Sequence, residues 1–237
     1  MDASATIGAL PIIATTGLAL TATGTYAALH RNSNLFGRVL SRLPGDANCV
    51  SLTFDDGPNP EATPRILDVL AEHQVHATFF LLGRHVARWP SLVRRIAEEG
   101  HQVANHGFVH RKLHFAGPGR ATADLTAGTQ AIVDACGVTP RHFRAPHGFR
   151  SPFVAPAARR LQQRCVGWTL GVWDSDRPGA EEIARRTLGG ARRGSIILLH
   201  DGDGYDAEGD RTQTAAAVAR IVPSLLERGY ALATLPV

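Results

Sequence analysis

From residue 48 to the C-terminus, strand-like runs alternate with amphipathic helical runs. Strands that are separated by helices form βαβ units and therefore a parallel sheet. No glycine-rich dinucleotide-binding turn follows the first strand, so the pattern favours an α/β fold of the (β/α) barrel type over a Rossmann sheet. The seven strand-like runs are CVSLTF, HATFFLL, HQVANH, RHFRAP, CVGWTLGVW, SIILLH and YALATLPV.

The first 30 residues differ in composition from this alternating part. No residue between Ala3 and Leu29 is charged, and a helix of this length can span the roughly 30 Å core of a bilayer. A secretory signal peptide begins with basic residues and ends at a small-x-small cleavage site, and the chain shows neither. We expect residues 1–30 to form an apolar helix that anchors the protein in a membrane; a cleaved signal and a soluble helix are the alternatives.

The residues after this segment bear on topology and domain organisation. Arg31, Arg38 and Arg42 follow it, and the positive-inside rule would hold that flank in the cytoplasm. Residues 31–48 are predicted to be a linker, and residues 49–237 to form one folded domain, a size that buries an ample core without disulfides.

Composition excludes several classes of protein. With 44% hydrophobic and 19% charged residues, the chain is globular rather than disordered. Its net charge of +4 comes from scattered arginines without interleaved aromatics, which argues against a nucleic-acid partner. Cys49, Cys136 and Cys165 have no metal-binding spacing and are expected to be small core residues.

Ionisable residues stand at the ends of five of the seven predicted strands. Barrel enzymes build their sites from the loops at the carboxyl ends of the strands, so these residues are expected to lie together. The strand ends in question are Asp55-Asp56, NHGFVH, RAPHG, WDSD and HDGDG.

His106 and His110 have a spacing that places both imidazoles on one face of a helical turn. Two imidazoles and a carboxylate form a common zinc set with one position open, although two solvated surface histidines would show the same spacing. A zincin protease is excluded, because Gly107 replaces the glutamate that follows its first histidine.

The paired carboxylates complete this hypothesis. One aspartate of the Asp55-Asp56 pair can coordinate the metal. Its neighbour points in another direction and can act as a base. Arg144 is the natural cationic partner of the base, and His200 on another strand can act as an acid. His73, His76, His85 and His101 flank helices and are expected to be solvated.

Five segments in this order, LTFDDGP, HGFVH, RAPHG, Trp168 to Asp174 and ILLHD, resemble the five motifs of the polysaccharide deacetylases. These form carbohydrate esterase family 4, built on the NodB homology domain, and the resemblance covers residues 48–237. It implies a distorted (β/α) barrel of about seven parallel strands that removes N-acetyl, sometimes O-acetyl, groups from chitin, chito-oligosaccharides, peptidoglycan or acetylxylan. It also implies a divalent metal, usually Zn²⁺.

Carried over residue by residue, the resemblance implies a role for each motif position. Asp55 matches the general base, Arg144 the arginine that orients it, and His200 the general acid. Metal ligands are implied at Asp56, His106 and His110. The backbone N–H after Pro146 would hold the oxyanion, and other substrate contacts are expected at His147, Trp173, Asp174 and Tyr205.

The chain departs from the family pattern at four positions. Gly107 stands where Ser or Thr is usual, and His147 where Tyr commonly follows the proline. In the fourth motif, Gly171 replaces an Asp that often pairs with the arginine, and Ser175 replaces a Trp. Asp174 or Asp176 is expected to take over that pairing, so the departures affect the grip on substrate more than the chemistry.

The resulting hypothesis is a metal-dependent deacetylase for a glycan that contains N-acetylglucosamine. The alternatives are a non-catalytic glycan-binding relative and an amidohydrolase for a small non-sugar amide. A cell-wall substrate requires the folded domain to lie outside the membrane, whereas the arginines after residue 30 favour the cytoplasmic side. We give the substrate more weight, so we expect a protein of the cell envelope, associated with the membrane through residues 5–29.

Overall fold

The computed structural model describes residues 21–237. They begin with a helix over residues 21–29, here α1. Residues 1–20, and with them most of the membrane anchor predicted for residues 5–29, lie outside the described residues. Among residues 21–237, no helix combines the length and the hydropathy that crossing a bilayer requires.

Strands and helices alternate along the chain as the sequence pattern predicts, and all strand pairings within residues 21–237 are parallel. The strands are β1 Val39–Leu40, β2 Cys49–Asp55, β3 Thr78–Leu81, β4 Gln102–Asn105, β5 His142–Phe143, β6 Arg164–Val166, β7 Leu170–Gly171, β8 Ile196–His200 and β9 Ala231–Leu232. The further helices are α2 Ala62–Glu72, α3 Gly83–Arg88, α4 Pro90–Glu98, α5 Pro118–Cys136, α6 Val154–Arg160, α7 Ala180–Gly190 and α8 Thr212–Glu227. Two short 3-10 turns cover Pro146–Gly148 and Asp174–Asp176.

The sheet curls into an open barrel. Its strand order is β1-β6-β5-β4-β3-β2-β8-β7, with β9 paired to β2, and the described residues contain no pairing between β1 and β7. The chain passes from β6 to β7 through residues 167–169 alone, a connection that spans about 14 Å at most. Because β6 and β7 lie near opposite edges of the sheet, this short connection requires the sheet to curl. The distorted (β/α) barrel is thereby confirmed.

Residues 31–48, predicted to be a linker, form part of the folded domain. Within them β1 pairs with β6, with Val39 opposite Cys165. Leu43 is buried in the barrel interior. The structure differs from the prediction because a two-residue strand is too short to leave a period in the sequence.

Apolar side chains fill both faces of the sheet. The largest cluster lies between the outer face and the helices and includes Phe54, Phe79, Ile66, Ile96 and Ile221. A smaller cluster fills the barrel interior and includes Phe80, Ala104, Val166, Ile196 and Leu235. The neighbours Phe79 and Phe80 fall in different clusters because successive strand residues point to opposite faces. All three cysteines are free; Cys165 is buried, whereas Cys49 and Cys136 are half-buried.

The strand register brings the predicted site residues to one end of the barrel. Asp55 on β2 lies directly opposite His200 on β8. Asn105 at the end of β4 pairs with Phe143 of β5, so that His106 and Arg144 follow at the next position of each strand. The carboxyl ends of four strands therefore carry these groups to the same edge of the sheet.

Candidate active site

Three side chains from the loops after β2 and β4 meet at one point. The Nε2 atoms of His106 and His110 lie 3.3 and 3.2 Å from Asp56 Oδ1. All three residues are buried, and their possible ligand atoms lie within 4.8 Å of one another. The histidines converge through an irregular loop rather than the helical turn that their spacing suggested, with φ of 82° at Gly107 and 51° at His110.

These donors fit a divalent cation. Asp56 Oδ1 is buried and receives no hydrogen bond from residues 21–237, an arrangement that is costly unless a cation compensates it. Burial would raise the pKa of Asp56, but the neighbouring His110 and His106 outweigh it and hold this pKa well below its usual value. Burial, against the opposing charge of Asp56, lowers the pKa of His110 to about 3. The neutral imidazole that results is the form that binds metals.

Hydrogen bonds from further out orient Asp56, His106 and His110, which are predicted to be the metal-ligating triad. His106 Nδ1–H donates to the Arg144 carbonyl oxygen at 2.8 Å, which leaves Nε2 facing Asp56. His85 Nδ1 lies 2.8 Å from the Asp56 carbonyl oxygen and fixes Asp56 at a φ of 73°. His85 and His101 are buried, so the expectation that both are solvated is wrong. A histidine that bonds a backbone carbonyl leaves no distinguishing pattern in the sequence.

Arg144 holds Asp55 from the barrel interior. Its Nη1–H donates to Asp55 Oδ1 at 2.7 Å and to Thr53 Oγ1 at 2.8 Å, and its Nη2–H donates to the Gly167 carbonyl oxygen at 2.9 Å. The guanidinium carbon lies 4.1 Å from the centroid of the Phe80 ring. Thr53 and Asp55 point to the same face of β2 because they are two residues apart. The structure thus gives Asp55 the cationic partner that the sequence predicts.

His200 is held by a carboxylate on the far side of its ring. Its Nδ1–H donates to Asp174 Oδ1 at 2.9 Å, and its backbone N–H donates to Oδ2 at 2.7 Å. The Thr214 hydroxyl donates to the same Oδ2 at 3.0 Å. Burial alone would lower the pKa of His200, but the charge and hydrogen bond of Asp174 raise it to about 9. The raised pKa favours the imidazolium form of His200 at neutral pH, and its Nε2 is the end that Asp174 leaves free.

Asp174 has a different partner from the one that the sequence suggested. It was expected to contact substrate or, with Asp176 as the alternative, to pair with Arg144. Its side chain has no exposed surface and binds His200 instead. Arg144 needs no carboxylate from this segment because it pairs with Asp55. The spacing of the fourth motif does not show whether Asp174 will pair with Arg144 or with His200.

The predicted base Asp55 and acid His200 line a single cleft of about 560 Å³ together with the triad, whereas Arg144 is fully buried. Trp173 and Tyr205, which are 69% and 65% exposed, also line the cleft. His147 Nε2 lies 3.0 Å from the Tyr205 hydroxyl. Pro146 is buried and begins the 3-10 turn that carries His147. Of the residues predicted to contact the sugar, His147, Trp173, Asp174 and Tyr205 line the cleft, whereas Pro146 does not.

One part of the cleft was not predicted. Leu29, His30 and Arg31 also line it, although the sequence assigns them to an anchor and a linker. No motif marks them, and their position depends on pairing between β1 and β6, which are far apart in sequence.

Comparisons with known proteins agree with this geometry. The family model described as polysaccharide deacetylase matches residues 42–166. A chitooligosaccharide deacetylase from Sinorhizobium fredii is 42% identical over 205 residues, which cover 84% of this chain and 95% of the relative. The chain belongs to the polysaccharide deacetylase family. As a polysaccharide deacetylase it is a hydrolase.

Further polysaccharide deacetylases resemble the chain less closely. A peptidoglycan-N-acetylglucosamine deacetylase from Bacillus cereus is 34% identical over 203 residues, which cover 84% of this chain and 91% of the relative. The crystal structure of a peptidoglycan N-acetylglucosamine deacetylase bound to a hydroxamate-type benzamide superposes with a TM-score of 0.76 at 32% identity. That match covers 84% of this chain and 91% of the other.

The family also contains members without activity. A mutant of a carbohydrate esterase family 4 pseudoenzyme, with restored enzymatic activity, superposes with a TM-score of 0.74 at 28% identity. The match covers 82% of this chain and 68% of the other. Family membership alone therefore leaves the non-catalytic alternative to be decided by the site residues.

The structure gives a local reason for one departure from the family pattern. At Gly107 the backbone has a φ of 82°, which side chains rarely adopt, and an added Cβ would meet Asp124 Oδ2. Burial raises the pKa of Asp124, and the nearby backbone N–H groups of Phe108 and Val109 oppose that rise. A buried carboxylate from α5 thus lies against the loop between His106 and His110, where Gly107 has no side chain to clash with it.

Proposed function

We propose that this polysaccharide deacetylase removes N-acetyl groups from a glycan that contains N-acetylglucosamine, either a chito-oligosaccharide or peptidoglycan. The observation that carries this proposal is the placement of Asp55 and His200. They are register partners on β2 and β8 and line the same cleft as the metal-ligating triad. Binding a sugar without reaction requires neither a base nor an acid, and the cleft has both. The names of the relatives support the two glycan classes.

We further propose that the triad of Asp56, His106 and His110 holds a divalent cation, and we assign it as Zn²⁺ because one carboxylate and two imidazoles form a common zinc set. A cation held there supplies Lewis-acid chemistry, since it polarises a carbonyl and lowers the pKa of water. Because Asp56 is committed to the triad, Asp55 remains the carboxylate available for proton transfer.

The side chains of this chain can move the protons of the reaction. Asp55, fixed by Arg144, accepts a proton from water as the water oxygen bonds to the acetyl carbonyl carbon. The backbone N–H after Pro146 is the proposed donor to the oxygen that gains negative charge. The carbon–nitrogen bond then breaks, its electron pair stays on nitrogen, and His200 protonates that nitrogen. The products are acetate and the free amine.

The rim of the cleft suits a sugar chain. Trp173, Tyr205 and His147 offer ring faces and hydroxyl or imidazole partners that a pyranose can contact. A glycan of the cell wall fits a location in the cell envelope, with residues 5–29 as the proposed membrane association.

Acetate release from a substrate panel tests the function. Chitopentaose, peptidoglycan and small N-acetylated non-sugar amides are compared at equal concentration of acetyl groups. We expect release from at least one of the two glycans and none from the small amides. Release from the small amides alone would favour the amidohydrolase, and no release from any substrate by metal-loaded protein would favour the non-catalytic relative.

Substitution His110→Ala is expected to remove the bound cation. The triad then keeps only two of its protein ligands, so zinc affinity should fall by more than the roughly 10- to 100-fold that loss of an outer partner causes. Zinc content of dialysed protein and competition with a chelator measure this. His147→Ala is the matched control, because His147 contacts the His110 ring at 4.6 Å between centroids but lies outside the triad. Equal zinc content in wild type and His110→Ala would contradict the assigned site.

Substitution Asp174→Asn is expected to move the alkaline limb of the pH–rate profile to lower pH. The charge of Asp174 raises the pKa of His200 to about 9, and only protonated His200 can act as an acid. Activity should therefore persist up to that region in wild type and fall earlier once the charge is removed. The profile of kcat from pH 6 to 10 measures the shift. Asp176→Asn serves as control, and an unchanged alkaline limb in Asp174→Asn would contradict the role of His200.

A further inference from the structure

A short segment before β1 forms part of the cleft wall. The Asn32 side-chain amide donates to the Trp168 carbonyl oxygen at 2.9 Å and accepts the Trp168 backbone N–H at 3.2 Å. The Arg150 backbone N–H donates to the Ala28 carbonyl oxygen at 2.9 Å, and its guanidinium donates to the Ser33 carbonyl oxygen at 2.6 Å. Bonds on both sides of Arg31 therefore tie this segment to the barrel.

Arg31 is fixed within this segment. Its Nε–H donates to the Trp168 carbonyl oxygen at 3.3 Å, and its guanidinium carbon lies 5.1 Å from the centroid of the Trp168 ring. An added Cβ on Gly148 would lie 2.6 Å from the Arg31 Cβ, so the backbone at Gly148 packs closely against the arginine. Trp168 and Gly148 thus hold the aliphatic part of Arg31 between them, and Arg31 lines the cleft.

The charge of Arg31 has no partner in the described part of the chain. Within residues 21–237 no carboxylate forms an ion pair with it, and its Nη atoms donate no hydrogen bond to the protein. Arg211, the other arginine that lines the cleft, is fully engaged: it donates to the carbonyl oxygens of Gly202 and Ser175 and to Asp203.

The acidic groups of the cleft are also engaged. Asp55 pairs with Arg144, Asp174 binds His200, and Asp203 accepts Arg211. Asp56 belongs to the metal-ligating triad. Among the described residues that line the cleft, Arg31 is therefore the arginine whose charge is left for something outside the protein. A rigid guanidinium with free Nη donors suits a carboxylate, which it can bind with two parallel hydrogen bonds.

We propose that Arg31 forms a subsite for a carboxylate carried by the glycan. This inference rests on the proposed function and narrows its substrate to an acidic, muramic-acid-containing glycan, in preference to neutral chito-oligosaccharide. The carboxylate can stand on the lactyl ether of the sugar or on a peptide attached to that ether. Both sources present the same group to Arg31, and the experiment separates them.

Four tetrasaccharides of equal length test the subsite by acetate release and by calorimetric binding. They are chitotetraose, the alternating N-acetylglucosamine–N-acetylmuramic acid form with free lactyl carboxylates, the same form with those carboxylates converted to neutral amides, and a form with a tripeptide on each lactyl group. Each is measured with wild type, Arg31→Gln and Arg38→Gln at low and high salt. Arg38 is an exposed arginine of the same segment that does not line the cleft, so its variant is the matched control for charge.

We expect wild type to prefer the free-carboxylate form over its amidated form by roughly 10- to 100-fold in kcat/KM, the range for a charged hydrogen-bonded pair. Arg31→Gln should abolish this preference and lower kcat/KM on the free-carboxylate form far more than on chitotetraose, and Arg38→Gln should change neither value. Preference restricted to the peptide-bearing form would place the recognised carboxylate on the peptide.

Two results would overturn the subsite. Equal use of the acid and amide forms by wild type, with the peptide-bearing form no better, would show that no carboxylate is recognised. An equal loss on all four substrates in Arg31→Gln would show that Arg31 only supports Trp168. If wild type releases acetate from no glycan, the proposed function fails, and calorimetric binding of the acid and amide forms still decides for or against the subsite.

Discussion

Substitution Asp55→Asn is expected to lower kcat on an N-acetylated glycan by roughly 10²- to 10⁴-fold, the usual contribution of a positioned general base. The amide that replaces the carboxylate has nearly the same shape but cannot accept the proton of the attacking water. Because Asp55 is not part of the triad, the zinc content should stay at the wild-type level. Acetate release under saturating substrate, with metal content measured on the same sample, gives the result.

The control for this variant is Asp46→Asn, which removes one negative charge from a side chain that is 95% exposed. Its rate should equal that of wild type. If Asp55→Asn retained more than about a tenth of wild-type kcat at full metal content, the assignment of Asp55 as the base would be wrong. A thermal melt of Asp55→Asn guards against misfolding, because the variant weakens the buried contact with Arg144.

Substitution His200→Asn is expected to have the second largest effect, again roughly 10²- to 10⁴-fold in kcat on the glycan. An amine leaves as an anion unless it is protonated, so loss of the acid should be severe for an N-acetyl substrate. A 4-nitrophenyl ester has a leaving group that is stable without a proton. Its hydrolysis should therefore fall far less in His200→Asn than the hydrolysis of the glycan.

Comparison of the two substrates separates chemistry from structure. Asp55→Asn should impair the amide and the ester alike, since both need the attacking water, whereas His200→Asn should spare the ester. An equal loss on both substrates in His200→Asn would show that His200 holds the cleft together rather than donating a proton. Its contacts with Asp174 make that alternative a real one to exclude.

The sequence predicted the barrel and the cluster at its rim because both follow from local pattern. Alternating strand and helix runs imply parallel βαβ units, and Asp55, Arg144 and His200 stand at strand ends, where such units converge. The register that places Asp55 opposite His200 is seen in the structure alone.

What the sequence did not predict depends on contacts between distant segments. β1 is two residues long and is defined by its pairing with β6, so its stretch resembled a linker. Asp174 was known to lie near the rim, but its choice of His200 over Arg144 depends on how the turn Asp174–Asp176 packs. Arg31 lies at the cleft because its segment contacts Trp168 and Arg150, which are far away in sequence.

The opposed positions of Asp55 and His200 on β2 and β8 have an evolutionary consequence. Adjacent strands are held about 4.8 Å apart by the backbone itself, so the spacing of the two proton carriers is set by the scaffold and not by any loop. The groups proposed to contact the sugar, in contrast, stand on loops and on the segment before β1. Mutations can therefore retune which polymer is accepted while the reaction machinery is inherited intact.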